Sequence, residues 1–142
     1  MPDGAAPSCY TTRMADNERQ KRGAEVRRAV MGDTYVDRSL ATKFTLSEDL
    51  QELLNDFAWG SIWARPGLDR KQRSLMTIAI LIATNHPQEL RFHFEAARRN
   101  GLTSEQIMEA VLHCVVYCGF PATLDAVRIA REVLSLDESA SP

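Results

Sequence analysis

Residues 69–85, DRKQRSLMTIAILIATN, constrain the fold more than any other stretch of the chain. Leu75, Met76, Ile78, Ala79, Ile80, Leu81 and Ile82 leave almost no polar face, so a helix here is apolar nearly all round and predicts a central, buried element. Asp69 stands where such a helix would begin. The apolar run 75–83 is interrupted by Thr77 and falls far short of the roughly 20 residues that span a bilayer. The rest of the chain must therefore supply amphipathic partners.

The flanking segments have that character. From Asp16 a helical pattern runs through DNERQKRGAEVRRAVMGD, with Val26 and Val30 four apart and Gly32 placed to end it. TYVDRSLATKFT has room for a short turn of helix. Ser47 can cap a helix that carries Leu50, Leu53, Leu54, Phe57 and Ile62 and stops before Pro66. Pro87 suits a helical first turn, and Asn100-Gly101 is a strong stop. TSEQ at 103–106 has capping-box spacing for a helix through Ile107, Val111, Cys114, Val115 and Cys118. Gly119 and Pro121 break it before a last amphipathic helix with Leu124, Val127, Ile129, Val133 and Leu134. No segment alternates with period two between hairpin turns, so the expected class is all-α, with about six helices. Residues 1–14 read as a mobile tail, 15–137 as one domain and 138–142 as a C-terminal tail.

Composition narrows the partners. Hydrophobic residues make up 44% of the 142 and charged residues 25%, the balance of a soluble globular domain. With 17 basic and 19 acidic side chains the net charge is −2, which leaves no overall footprint for nucleic acid or an anionic membrane. A small molecule or another protein is the expected partner. Three cysteines cannot form an even disulfide framework, and the first residues lack the apolar segment of a secretory signal, so a cytoplasmic location is expected.

The chemistry-bearing residues are few. In HPQELRFHFEAARRNG, Leu90, Phe94 and Ala97 mark an apolar stripe, and His93 lies beside it with an imidazole that ordinarily titrates near neutral pH. His86 is seven residues earlier but precedes Pro87, so it falls outside the helix, and no ligand spacing completes a metal site. His113 adjoins Cys114 and stands four before Tyr117, a helix-face pair open to a structural or a catalytic reading. Cys114 and Cys118 are four apart rather than Cys-x-x-Cys and read as core packing. Trp59 and Trp63 are either core or, with Arg65, the mouth of a pocket. Arg73, at the entrance of the most apolar helix, needs an anionic partner in the protein or in a ligand.

FAWGSIWARPGLDRKQRSLMTIAILIA, followed by QELRFHFEAARRNGLTSEQIMEAVLHCVVYCGFPA, resembles the carboxymuconolactone decarboxylase family, and GAEVRRAVMGDTYVDRS fits the same pattern. The resemblance covers about residues 18–136. It is carried by W-G-x-I-W-x-R-P-G-L-D-R, then H-x-x-x-x-x-R-N-G, then Y-C-G-x-P. It implies an AhpD-like all-helical fold assembled as a homo-oligomer, a hexamer or trimer, with no metal or organic cofactor. The implied reaction is decarboxylation of 4-carboxymuconolactone to the 3-oxoadipate enol-lactone in protocatechuate catabolism. A member acting on another lactone or natural-product intermediate, and a thiol-based redox adaptor, are the alternatives. In the family's thiol proteins, cysteines would stand where this chain has His86 and Glu89, and a proton-relay acid would stand near Ser74, so their mechanism does not carry over.

The implied reaction sets three tasks: binding carboxylates, stabilising an oxyanion and delivering a proton to carbon. His93 is the candidate general acid or oxyanion donor, and Arg73 the carboxylate or oxyanion partner. Glu89 is either an orienter of the imidazole or a solvated acid at the helix start. Trp59, Trp63 and Tyr117 are expected to exclude water, and Arg65, Ser74 and His113 complete the expected substrate-binding set.

Overall fold

The computed structural model describes residues 9–41 and 45–134, with side chains over 17–41 and 48–134. The elements are α1 (Cys9–Met31), α2 (Asp33–Ala41), α3 (Thr45–Leu53), a π-helix (Leu54–Trp63), α4 (Arg70–Ala83), α5 (Pro87–Arg99) and α6 (Ser104–Val133). Among the described residues there is no strand, as the missing period-two pattern requires. The chain divides into two compact units. One contains α2, α3, the π-helix and most of α1; the other contains residues 30–32 with α4, α5 and α6.

The second unit holds a contiguous apolar core. Ile78 and Ile82 of α4, Leu90 and Phe94 of α5, and Ile107 and Val111 of α6 are buried together. Each such side chain contributes on the order of 1.5–3 kcal/mol relative to exposure. Local chemistry sets the helix limits. Gln72 N–H donates to Asp69 Oδ1 at 2.8 Å and Asp69 N–H to Gln72 Oε1 at 3.0 Å, a capping box that starts α4. Thr103 and Gln106 do the same for α6. At the end of α5, Gly101 has φ +93°, its N–H bonds Arg98 O, and Leu102 N–H bonds Ala97 O, a Schellman stop. Gly119, at φ +78° and ψ 167°, kinks α6 two residues before Pro121, where the sequence predicts a break.

In the first unit, guanidinium groups of α1 link several of the helices. Arg27, only 2% exposed, donates from Nη1 to Gln51 Oε1 (2.6 Å) and Asn55 Oδ1 (3.2 Å) and from Nη2 to Ser39 Oγ (3.1 Å). One side chain of α1 thereby joins α2, α3 and the π-helix. Arg28 pairs with Asp33 and Asp37.

Several expectations change. α1 begins at Cys9, not Asp16, so residues 9–14 belong to a helix and not to a tail, while 1–8 and 135–142, including the expected tail 138–142, lie outside the described residues. α3 begins at Thr45, which places Ser47 inside it and not at its cap. The single helix expected up to Pro66 changes register at Leu53 into the π-helix. α4 is not covered all round, since Met76 and Ile80 are 50% and 57% exposed while Arg73, Ser74, Ile78 and Ile82 face the interior. Periodicity identified the apolar positions of α4 and α3, but not what covers them.

Candidate active site

In the second unit, α4 carries Arg73 and α5 carries His93. Arg73 lies in the first turns of α4 and is buried, with its carbonyl accepting from Thr77 Oγ1 at 2.9 Å. Its neighbour Ser74 is also buried and accepts a hydrogen bond from Asn100 Nδ2 at 2.8 Å. Ser74, expected to bind substrate, thus ties the start of α4 to the C-cap of α5. Asn100 was legible only as a helix stop; its second role depends on the pairing of α4 with α5.

His93 is partly buried beside the stripe of Leu90, Phe94 and Ala97, all of which lie in the core. Desolvation pushes its pKa down to about 4, against the smaller opposing pull of the Glu89 carboxylate one turn earlier. The near-neutral titration expected from the sequence is therefore replaced by a neutral imidazole at pH 7. Glu89 is exposed in the first turn of α5, where its charge also suits the helix N-terminus. Both readings of Glu89 have a physical basis here.

The remaining residues of the second unit divide by exposure. His86 is the exposed N-cap of α5 and lies outside the helix. His113 and Tyr117 form a tilted ring pair on α6 with centroids 5.3 Å apart and planes inclined by 49°, and both are exposed, so within one chain Tyr117 excludes no water. Cys114 is buried in the core, and Cys118 packs against it. Burial, followed by the proximity of Cys118, pushes the Cys114 thiol up, which disfavours the reactive thiolate. No group of three or more His, Cys, Asp or Glu residues able to hold a metal ion occurs among the described residues. An open groove of about 310 Å³ lined by Pro87, Gln88, Arg91, Phe92 and Ile129 contains none of the expected site residues.

In the first unit, Trp59 and Trp63 lie on the π-helix with ring centroids 5.1 Å apart and planes inclined by 37°. Trp59 is buried, Trp63 partly buried, and Arg65 exposed just past the helix end. The stretch that joins these aromatic residues to Arg73 and His93 is the one the family pattern covers. The carboxymuconolactone decarboxylase family profile matches residues 48–132. The chain belongs to the carboxymuconolactone decarboxylase family. It is 45% identical over 120 residues to a 4-carboxymuconolactone decarboxylase of Acinetobacter baylyi, covering 84% of this chain and 90% of that protein. It is 42% identical over 113 residues to a nitrosuccinic acid decarboxylase of Metarhizium robertsii, covering 80% of this chain and 79% of the relative. The family match spans every expected site residue, from Trp59 to Tyr117.

Proposed function

We propose that this chain decarboxylates 4-carboxymuconolactone to the 3-oxoadipate enol-lactone in aromatic catabolism. The 45% identity to a decarboxylase of that name, over most of both chains, supports the substrate. The observation that carries the mechanism is a buried cation, Arg73, and a neutral imidazole, His93, on two helices joined by the Asn100–Ser74 hydrogen bond.

Loss of carbon dioxide leaves an electron pair on the ring carbon, and conjugation carries it to the lactone carbonyl oxygen. The ring is its own electron sink, so the protein need only stabilise that charge until the ring takes up a proton from water at carbon. Arg73 pairs with a carboxylate or with the developing oxyanion through its planar fork. His93 with a pKa of about 4 is an imidazolium in only about one molecule in a thousand at pH 7. Its role is therefore that of a neutral N–H donor to the oxyanion, in preference to a cationic acid. Glu89 opposes the desolvation of the ring and biases its orientation by charge.

A second reading follows from the nitrosuccinic acid decarboxylase relative, because a nitro group can accept the electron pair as the lactone does. Carbon dioxide release from 4-carboxymuconolactone and from nitrosuccinate, measured side by side with chelator-treated protein, separates the two. Turnover of the lactone is expected. Turnover of nitrosuccinate alone would overturn the first reading.

We also propose that the protein acts as a cytoplasmic homo-oligomer on a small molecule, without nucleic acid or membrane. The free thiols Cys114 and Cys118 suit a reducing compartment. α6 is long and apolar enough to cross a bilayer by length and composition, yet its inner face builds the core through Ile107, Val111 and Ala126. Before the Gly119 kink it leaves Leu112 and Val116, and after the kink Phe120 and Leu124, at least half exposed, which suits a subunit contact. Light scattering is expected to give a multiple of 15.9 kDa, and an active monomer would refute the assembly.

A further inference from the structure

The π-helix Leu54–Trp63 keeps its wide register to its end. Ala64 N–H donates to Trp59 O at 3.0 Å, whereas an α register would send it to Gly60 O. Gly60 O instead accepts from Arg22 Nη2 at 3.1 Å. A guanidinium of α1 thus gives a partner to the carbonyl that the π register leaves without its α-register N–H.

The same face of α1 contacts the π-helix at Asn55, Asp56 and Gly60. Arg19, Arg22, Gly23 and Arg27 recur at spacings of three, one and four, which lie together on a helix. Arg19 forms a two-bonded pair with Asp56, and Arg27 donates to Asn55 Oδ1. Between them the backbones meet. A Cβ on Gly23 would lie 1.9 Å from Asn55 O and 2.9 Å from Gly60 N, and a Cβ on Gly60 would lie 2.5 Å from Arg19 O. Asn55 and Gly60 are five residues apart, one π turn, and both close approaches fall on that turn. π turns are rare, and this one persists where α1 supplies partners that fit it.

We propose that Arg22, with Gly23 beside it, is a positioning residue that holds residues 59–64 in the π register and so sets the direction of the Trp59–Trp63 pair. Its effect on turnover rests on the decarboxylase reading, in which these indoles belong to the substrate-binding set; its effect on the register does not. Replacing the guanidinium takes this partner from Gly60 O, which then favours accepting Ala64 N–H. The last turn then tightens, and Ile62, Trp63 and Ala64 rotate relative to Trp59.

The test compares Arg22→Gln with Arg28→Gln, the latter losing only the pairs to Asp33 and Asp37. Near-UV circular dichroism reads the indole pair, and steady-state kinetics separates KM from kcat. Arg22→Gln is expected to change the tryptophan signal while retaining far-UV helicity. It should raise KM for the lactone about tenfold with kcat changed by less than about threefold. Arg22→Lys, which can still donate to Gly60 O, should recover much of both, and Arg28→Gln should leave both unchanged. A folded Arg22→Gln protein with unaltered near-UV signal and KM would overturn the proposal. If Arg22→Gln does not fold, the wild-type protein decides by NMR. A through-bond coupling from Ala64 N–H to Trp59 carbonyl supports the proposal, and a coupling to Gly60 carbonyl overturns it. A wild-type protein without lactone turnover would remove the substrate reading and leave the spectroscopic outcome to judge the register.

Discussion

Replacing His93 by glutamine should flatten the acid limb of the stability curve. In the folded chain burial holds the imidazole at about 4, whereas in the unfolded chain it returns to about 6.5. Between those values the unfolded state binds a proton that the folded state refuses, so the free energy of unfolding rises with pH through the window. The stability contributed by the neutral ring is complete above about pH 6.5 and is lost as pH falls towards about 4. At 1.36 kcal/mol per pKa unit the full contribution is about 3 kcal/mol. Glutamine retains hydrogen-bonding capacity but does not titrate, so the variant lacks this dependence. Urea unfolding followed by far-UV circular dichroism, for both proteins at one fixed concentration and at several pH values across the window, measures the difference. Wild-type stability should fall relative to the variant by about 2–3 kcal/mol between pH 6.5 and 4. Parallel curves would show that the ring titrates normally and would remove the basis for a neutral His93.

His93→Leu, which removes the N–H donor, should nonetheless assemble with near-native helicity while losing at least about a hundredfold in turnover, measured as carbon dioxide release from the lactone, whereas His93→Gln, which keeps a neutral donor, should lose less. Arg73→Lys should lose at least about tenfold in kcat/KM, because a point charge does not reproduce a planar two-bonded fork. The double variant Cys114→Ala with Cys118→Ala should unfold about 1–3 kcal/mol more easily yet keep turnover within about twofold, since both thiols pack against the core. Abolished turnover in that folded double variant would give the thiols a chemical role.

Sequence patterns located the features that depend on neighbouring residues. The Thr103–Gln106 capping box, Pro87 at the start of α5, the Asn100–Gly101 stop and the break at Gly119 follow from backbone chemistry within a few residues. The stripe of Leu90, Phe94 and Ala97 was likewise visible from spacing alone. The π-helix was not, because the local spacing of LNDFAWGSIW reads as an ordinary helix, and its register depends on Arg22 and Gly23 more than thirty residues away in sequence. Arg27 was hidden for a related reason: on an apparently charged, exposed helix nothing local predicts a guanidinium buried among Ser39, Gln51 and Asn55. For the site, position was legible but state was not. His93 and Arg73 stood out by residue type against an apolar background, whereas the protonation of the imidazole depends on burial and the place of Ser74 on its hydrogen bond with Asn100. His113 and Tyr117 illustrate the converse, since their spacing suggested a helix-face pair but not their exposure in the single chain.

The claim that a neutral His93 stabilises the oxyanion is tested most directly by the pH dependence of kcat/KM for 4-carboxymuconolactone, which reports the ionisation of groups in the free enzyme. The imidazole stays largely uncharged above its pKa of about 4, so kcat/KM should be flat from about pH 8 down to about pH 5.5 and fall only as pH approaches 4. A kcat/KM that climbs as pH drops through about 6.5, tracking the protonated fraction of an ordinary histidine, would make the imidazolium the working acid and contradict the account.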